Sequence, residues 1–316
     1  MNAKEKYREL CKNEPTIPIF AKDWWLDALV GEEKWDVALI EKSGGIVASL
    51  PYVIKKRGFI FKVLTIPVLT PFLNVWIRQN GEKYEKKLSN EMELYSALID
   101  KLPDYDHFQT SFHHSFTNWL PFYWKGFKQS TSYTYVIEDL SDLDKVYANC
   151  KKRCRNSIRK AEKLVDVYTE NDIEKFFDIN KKSFDRQGVQ MSYDLEYLKR
   201  LDDACKKHDC RKIFFAEDAE GQIHSALYIV WDETTVYLLM SGSDPKLRNS
   251  QAKTLLTWEA IKFTSQMNKQ FDFEGSMMVG AESFNRSFGA VQKPYFNISK
   301  TNSFLIKFRN FIVDDL

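Results

Sequence analysis

The segment Phe271-Asp-Phe-Glu-Gly-Ser276 carries the strongest signal in this sequence. Alternation along a strand predicts that its two phenylalanines face one side and that Asp272 and Glu274 face the other. Two carboxylates side by side in an apolar segment are costly to bury unless they are paired or take part in catalysis. The glycine that follows them is typical of a strand edge that opens toward a ligand. This strand is therefore a candidate functional site.

The elements around the acidic strand follow a definite order. A capping box at Asn171 and Glu174 begins a helix, and a second helix follows it. Runs of alternating residues then predict a three-strand meander. A helix is predicted at 249–266, before the acidic strand, and a short helix at 283–288 and a last strand at 293–299 come after it.

The first half of the chain repeats this order more loosely. The segments 108–126 and 271–289 both lead from a strand to a glycine with the same spacing of 18 residues. Internal repeats of this kind decide an architecture. We therefore expect two related domains, residues 1–137 and 138–316.

Composition limits the classes of protein that need to be considered. The chain has 316 residues, of which 44% are hydrophobic and 15% aromatic. Its mean hydropathy is -0.44, which is typical of a globular protein rather than a membrane-spanning one. The net charge of +2 selects no partner and gives no indication of DNA binding, so any affinity for anions must come from local clusters.

The cysteines and the N-terminus indicate the compartment. The N-terminus lacks a signal-peptide pattern, and the five cysteines include no Cys-x-x-Cys pair. Both features favour a reducing compartment, and we expect a cytoplasmic location. Cys150 and Cys154 share a predicted helix face with apolar residues, so they are interpreted as core residues and no metal site is predicted.

A row of basic residues marks a second candidate site. Helical spacing over 145–165 aligns the side chains of Lys152, Arg155, Arg159 and Lys163 on one face. Such a row suits a polyanion, for example a tRNA backbone, a nucleotide-linked sugar or a lipid pyrophosphate. A solvated helix face is the alternative. Charge reversal at Arg155 and Arg159 is expected to abolish anion binding without unfolding the protein.

The order helix, helix, three-strand meander, helix, strand, helix, strand resembles the GNAT acyltransferase fold. Nearly the whole chain resembles the Fem-like, tandem-GNAT proteins. The segments that carry the resemblance are 153–162, 258–261, 271–276 and 284–289, with a weaker match at 50–52, Pro67 and Pro71. The resemblance implies an α/β (α+β) fold of two tandem GNAT-like domains, each a mixed, mostly antiparallel sheet flanked by helices.

The resemblance also implies transfer of an acyl group to an amine. GNAT enzymes usually take acetyl-CoA as the donor, and Fem proteins move an amino acid from aminoacyl-tRNA to a peptidoglycan precursor. We therefore expect an N-acyltransferase that uses acyl-CoA or aminoacyl-tRNA and holds no permanent cofactor. The expected acceptor is an amine on a small-molecule or lipid-linked precursor of the cell envelope or of a polysaccharide. The alternative is a catalytically silent tandem-GNAT module that binds an anionic ligand or partner.

The donor-binding segment departs from the family pattern. GNAT proteins hold the CoA pyrophosphate with Arg/Gln-x-x-Gly-x-Gly/Ala, and this chain has Arg248 followed by Gln251 and Lys253 at the glycine positions. The larger side chains hinder approach of a phosphate to the backbone, whereas Arg248 and Lys253 suit an anion at a helix N-terminus. An ordinary helix capped by Asn249 or Ser250 is the alternative.

The acidic strand and the motif after it supply the candidate catalytic residues. Glu274, with Asp272 beside it, is the preferred base for the attacking amine. Structural salt bridges to lysine or arginine are the alternative for both carboxylates. Fem ligases resemble Phe-Lys-x-x-Phe-Gly in the closing motif, and Asn285 stands at the lysine position, where its amide can donate to an oxyanion. Arg286 and Tyr295 are candidate anion- or substrate-binding residues.

The C-terminal segment 304–312 has the pattern of a short amphipathic helix. Docking onto the protein is the preferred interpretation, and peripheral contact with a membrane is the alternative. The sequence carries no signal for the oligomeric state.

Overall fold

The computed structural model describes residues 1–58, 60–79, 81, 83–275 and 277–306. Its helices are α1 (Ala3–Asn13), α2 (Asp23–Val30), α3 (Tyr84–Asp100), α4 (Leu120–Trp124), α5 (Leu143–Asn149), α6 (Lys152–Ala161), α7 (Ile173–Gln187), α8 (Leu195–Lys207), α9 (Ala252–Gln266) and α10 (Val279–Arg286). Its strands are β1 (Trp35–Lys42), β2 (Gly45–Arg57), β3 (Phe61–Thr65), β4 (Trp76–Ile77), β5 (His107–Phe112), β6 (Lys128–Ile137), β7 (Asp166–Thr169), β8 (Arg211–Glu217), β9 (Ile223–Trp231), β10 (Thr235–Ser243), β11 (Gln270–Asp272) and β12 (Val291–Thr301). None of the described helices is long and apolar enough to cross a membrane.

The chain forms two compact units. The first consists of Met1–Ser132 with Pro294–Leu316, and the second of Tyr133–Lys293. This differs from the predicted division into 1–137 and 138–316, because the end of β6 belongs to the second unit and most of β12 to the first. The difference arises because the end of β6 pairs with β11 and β12 pairs with β5.

Each unit contains a mixed, mostly antiparallel sheet. In the first unit the strand order is β1-β2-β3-β5-β12, and β4 pairs with β2. The pairs are antiparallel except for β3 with β5, which is parallel. In the second unit the order is β7-β8-β9-β10-β11-β6, and again one pair, β10 with β11, is parallel. The two related domains expected from the repeat are confirmed.

The last strand of each repeat completes the sheet of the other unit. β6 follows α4 along the chain, yet its end pairs with β11 of the second unit. β12 follows α10, yet it pairs with β5 of the first unit from Phe296 to Thr301. Sequence patterns give the period of a strand and not its partner, so this exchange was not predicted.

The core of the second unit lies under α9. Most of this helix is buried, as is typical of a helix at the centre of a unit. It covers the meander β8 to β10, whose central strand β9 is buried along nearly its whole length. α5 and α6 also pack on this core through a stripe of buried residues, which consists of Val146, Cys150, Cys154, Ile158, Ala161 and Val165. The interpretation of both cysteines as core residues is confirmed.

Several predicted elements differ in detail. The first helix of the second unit is capped by Asp172 and not by Asn171, because the Asp172 side chain accepts the hydrogen bond from Lys175. The helix predicted over 145–165 is broken between α5 and α6, where the N–H of Lys151 donates to the carbonyl of Ser287. α1 and β3 were not predicted. Most of the predicted tail helix falls at 307–316, outside the described residues.

Candidate active site

The acidic strand is shorter than the sequence pattern predicts. β11 ends at Asp272, and the chain then turns through Glu274 and Gly275, which have φ values of +60° and +56°. β10 pairs with β11 only as far as Tyr237, and it continues to Ser243 paired with β9. Asp272 belongs to the last parallel pair, so the carboxylates stand where the pairing of β10 with β11 ends.

The two predicted carboxylates form a buried pair. Asp272 is 2% exposed, and its Oδ1 accepts hydrogen bonds from the Thr134 hydroxyl and, at 2.8 Å, from the N–H of Glu274. Burial raises the pKa of Asp272 to about 6, although both hydrogen bonds act to lower it. Burial, and then the charge of Asp272, raise the pKa of Glu274 well above its usual value. Both carboxyl groups therefore favour the protonated form more than they would in solvent, and the repulsion from Asp272 adds to this effect at Glu274.

Neither carboxyl group forms an ion pair with a lysine or arginine among the described residues. No lysine or arginine of the described chain contributes to the pKa of Asp272 or Glu274. Glu274 is half-buried, and its Oε1 atom is sealed from solvent without a hydrogen-bond partner among the described residues. The described residues therefore give no support to the salt-bridge alternative. An unpartnered, sealed carboxyl oxygen is the kind of group that a substrate amine would satisfy.

Strand β6 holds the turn that carries the pair. Phe273 donates its N–H to the carbonyl of Tyr135 at 3.0 Å. Gly275 lies so close to the strand that a β-carbon there would stand 2.3 Å from the carbonyl oxygen of Tyr133. Together with Thr134 on Asp272, these contacts fix the turn along three successive residues of β6. Sequence reasoning missed Thr134, because nothing in the sequence shows that it pairs with a strand 138 residues away.

The predicted donor-binding segment forms a cluster of cations before and at the start of α9. Lys253 is half-buried, and its Nζ lies 4.9 Å from the centre of the Phe284 ring. Burial, and then the charges of Arg186 and Arg248, lower the pKa of Lys253 to about 8. No acid contributes to that pKa, so an anion would relieve the repulsion among these three side chains. Arg186, on α7, was missed by the sequence analysis.

Gln251 stands at a glycine position of the GNAT pattern, and its backbone has the positive φ that glycine adopts most readily. Its φ is +66°, and it ends a short 3-10 helix at Arg248–Ser250 just before α9. The hydroxyl of Ser157 donates to Oε1 of Gln251 at 3.2 Å, which holds the side chain against α6. The chain thus turns at Gln251 through a backbone conformation that glycine adopts most readily. The N-cap of α9 is Gln251, which has no side-chain cap, rather than Asn249 or Ser250; the Ser250 hydroxyl accepts from the N–H of Ala252 at 3.3 Å.

Helix α7 covers the edge of β10 that faces away from β9. The N–H of Asp244 donates to the carbonyl of His224 on β9. Backbone groups of alternate residues point to opposite edges of a strand, so those of Ser241 and Ser243 point away from β9. There, Asn180 Nδ2 donates to the carbonyl of Ser241 at 2.9 Å. The N–H of Ser243 donates to the Ser183 hydroxyl, also at 2.9 Å. This edge of β10 is therefore not free to pair with an extended ligand.

The residues of the closing motif lie apart from the pair. Asn285 is buried on α10, and no hydrogen bond joins its side chain to Asp272 or Glu274 within the described chain. Arg286 forms an ion pair with Glu282 one turn earlier, with Nε and Oε1 at 2.5 Å. Tyr295 lies on the part of β12 that belongs to the first unit.

One residue of the predicted basic row, Arg155, bonds the backbone of its own segment. Arg155 donates to the backbone carbonyls of Ala148, at 2.6 Å, and of Cys150. It thus caps the C-terminal end of α5, where carbonyl groups lack helical partners. Lys152 and Arg159 are exposed, whereas Lys163 follows the end of α6.

The charge-reversal expectation therefore changes for Arg155. Arg155→Glu is expected to destabilise the protein by about 2–3 kcal/mol, because it removes two charge-assisted hydrogen bonds and places a negative charge at a helix C-terminus. Urea unfolding measures this loss. Lys152→Glu, at the exposed start of α6, serves as the control and should stay within about 0.5 kcal/mol of wild type. Equal stability of the two variants would show that Arg155 has no capping role.

Comparisons with known proteins agree with this geometry. Residues 148–285 match the family of acetyltransferase (GNAT) domains. The fold is similar to that of FemX, with a TM-score of 0.66 and 12% identity over 94% of this chain and 96% of that one. The fold is also similar to that of L-PGS from Bacillus licheniformis, with a TM-score of 0.56 and 13% identity over 96% of this chain and 94% of that one. For a tandem GNAT protein from the clavulanic acid biosynthesis pathway, the TM-score is 0.53 and the identity is 8% over 95% of both chains.

No curated protein has a sequence that matches this chain. At identities of 8–13% the structural neighbours establish the fold alone. The matched domain lies within the second unit and contains Lys253, Asp272 and Glu274. Residues 148–285 are therefore similar to an acetyltransferase (GNAT) domain, and the chain has the fold of FemX and of a tandem GNAT protein.

Proposed function

We propose that this protein is an N-acyltransferase that moves an acyl or aminoacyl group from an activated donor to an amine. The observation that carries the proposal is the pair of buried Asp272 and half-buried Glu274 at the end of β11, with Oε1 of Glu274 sealed from solvent and without a partner among the described residues. Acyl transfer to an amine needs a group that removes a proton from the ammonium, and a carboxyl group with a raised pKa near the working pH does this well. GNAT domains are acyltransferases, so the family match supports the same chemistry.

The proposed reaction balances as follows. The acceptor ammonium gives one proton to the carboxyl pair, and the free amine attacks the carbonyl carbon of the donor. A C–N bond forms, and the bond from that carbon to the sulfur or oxygen of the carrier breaks. The second proton of the nitrogen passes to the carrier, which leaves as a thiol or an alcohol. Glu274 is the member of the pair proposed to meet the amine, because its Oε1 has no other partner among the described residues.

The donor is proposed to carry phosphate groups that bind the cation cluster of Arg186, Arg248 and Lys253. Both aminoacyl-tRNA and acyl-CoA meet this requirement. A pantetheine arm, with its two amides, would gain from pairing with a free strand edge, as peptides do in strand addition. Because α7 covers that edge of β10, the structure favours an aminoacyl-tRNA donor.

The acceptor is proposed to be an amine on a precursor of the cell envelope or of a polysaccharide, with the reaction in the cytoplasm. A panel experiment tests the proposal. Thermal shifts are measured with CoA, acetyl-CoA, charged tRNA and uncharged tRNA, and product formation is followed by mass spectrometry with amino sugars and peptidoglycan precursors. Transfer from charged tRNA is expected. If every donor fails to stabilise the protein and no acyl product forms, the chain is a silent binding module and the proposal fails.

Lys253 provides a specific prediction for donor binding. Lys253→Gln is expected to weaken donor binding by roughly 10- to 100-fold, because it removes one charge-assisted contact with phosphate. Fluorescence anisotropy with labelled tRNA, at two salt concentrations, measures the loss and its salt dependence.

Lys262→Gln is the matched control. Lys262 lies on the same helix and pairs with Glu259 through Oε1 at 2.6 Å, so its loss should leave donor affinity unchanged. Equal effects of the two substitutions would show that affinity comes from the overall charge of α9 rather than from the cation cluster.

A further inference from the structure

The carboxyl pair is not symmetric in its hydrogen bonds. Oδ1 of Asp272 accepts from two donors, the Thr134 hydroxyl and the Glu274 N–H. Oε1 of Glu274 accepts from none of the described residues. Hydrogen bonds donated to a carboxylate stabilise its ionised form, so this asymmetry acts on where the shared proton lies.

We propose that Thr134 is a positioning residue of the pair, and that its hydroxyl keeps Asp272 ionised and so leaves the proton on Glu274. The consequence for catalysis rests on the proposed function, but the location of the proton does not. Thr134 sits on β6 and is 5% exposed, so water does not compete for its hydroxyl. Its strand reaches the site because β6, which follows α4 in the first repeat, completes the sheet of the second unit.

Tyr237 on β10 is a titratable residue of the second unit whose phenol interacts with both carboxylates. Burial raises the pKa of this phenol well above the usual value. It therefore stays neutral throughout the range in which the pair titrates. The Glu274 N–H is a main-chain donor that no substitution at 274 removes, which leaves Thr134 as the side chain that can be tested.

The proton on Glu274 has a kinetic consequence. Glu274 accepts the amine's proton only after it has lost its own, so transfer should accelerate as pH rises through its titration. Removal of the Thr134 hydroxyl removes a hydrogen bond that stabilises the ionised form of Asp272. The proton then moves toward Asp272, the repulsion on Glu274 falls, and the acid limb of the rate profile shifts to lower pH.

The experiment is a carboxyl titration followed by 13C NMR in the substrate-free protein, with Asp and Glu side chains labelled and assigned by Asp272→Asn and Glu274→Gln. In wild type, the signal of Glu274 should remain that of the acid form at pH 7 while Asp272 is ionised. In Thr134→Val the titration of Asp272 should move up, and that of Glu274 down, by about one pH unit or more. Thr134→Ser, which retains a hydroxyl, should titrate like wild type.

Thr131→Val is the matched control, since Thr131 lies on the same strand, is exposed and bonds Gln129. An ionised Glu274 beside a protonated Asp272 in wild type would overturn the inference, even if Thr134→Val does not fold. Identical titrations of Thr134→Val and wild type, or of Thr134→Ser and Thr134→Val, would overturn it as well. The titration needs no donor or acceptor, so a failure of every transfer assay would count against the proposed function and not against the role of Thr134.

Discussion

Replacing Glu274 by glutamine is expected to lower acyl transfer by about 10²- to 10⁴-fold, the usual contribution of a general base. Glutamine has the same shape and cannot accept the proton of the acceptor ammonium. The loss should appear in kcat, because the substitution removes an interaction of the transition state and leaves the donor site unchanged. Steady-state rates across pH 6–9 measure it.

The same substitution should raise the stability of the protein at neutral and alkaline pH. A carboxyl group whose pKa is higher in the folded state than in the unfolded chain supports folding below the unfolded value, and this support is lost as pH rises through the folded value. For Asp272, whose pKa rises from 3.8 to about 6, the loss amounts to about 3 kcal/mol. Glu274 acts in the same direction, so the variant should melt above wild type at pH 8 and close to it at pH 4.

Glu259→Gln is the matched control for both measurements. Glu259 lies on α9 and pairs with Lys262, so its neutralisation should change neither the rate nor the pH dependence of melting. A Glu274→Gln variant that transfers at the wild-type rate would remove Glu274 from the reaction. One that is inactive but shows no gain of stability at pH 8 would mean that the carboxyl group is solvated in the folded protein.

Periodicity and family resemblance predicted the order of elements and the two carboxylates. The first strand of the meander, predicted at 211–217, has these bounds in the structure as β8, because its apolar run ends at a turn rich in acidic residues and glycine. The acidic strand was placed correctly but extended too far. Glu274 leaves the strand in a left-handed conformation, which glutamate seldom adopts, and only its tertiary contacts impose it.

The predicted roles of cations depended on partners that the sequence does not show. Arg155 has the spacing of a surface row, yet its guanidinium reaches back to the carbonyls of α5. In the sequence, Lys253 stands at a glycine position of the family pattern. In the structure, its charge and those of Arg186 and Arg248 repel one another. Spacing along a helix gives the face of a side chain, and the neighbouring elements decide its use.

The roles of Thr134 and Gly275 could not be predicted from the sequence, for a different reason. Both matter because β6 leaves its own repeat and pairs with β11. An internal repeat predicts that each copy is complete in itself, and an exchange of strands leaves the periodicity of both copies unchanged. The family resemblance carried the fold but could not identify which strand lies beside the carboxylates.

Gly275→Ala is expected to destabilise the protein by about 2–5 kcal/mol and to abolish transfer. The residue has φ of +56°, and an added methyl group would lie 2.3 Å from the carbonyl oxygen of Tyr133 and 2.9 Å from Cα of Thr134. A left-handed alanine costs about 1–2 kcal/mol, and overpacking against main-chain atoms adds about 1–3 kcal/mol. Relief of the overlap would move the turn away from β6, and with it Glu274. Denaturant unfolding and the transfer assay measure both effects.

Gly280→Ala separates this effect from a general intolerance of the segment. Gly280 lies on α10, and a β-carbon there would meet no atom within 4 Å. Alanine should therefore be accepted and should stabilise the helix by about 0.5–1 kcal/mol. If Gly275→Ala instead unfolds at the same midpoint concentration of denaturant as wild type, the turn can move away from β6 at little cost in free energy. The contact between Thr134 and Asp272 would then be too loose to fix the proton of the pair.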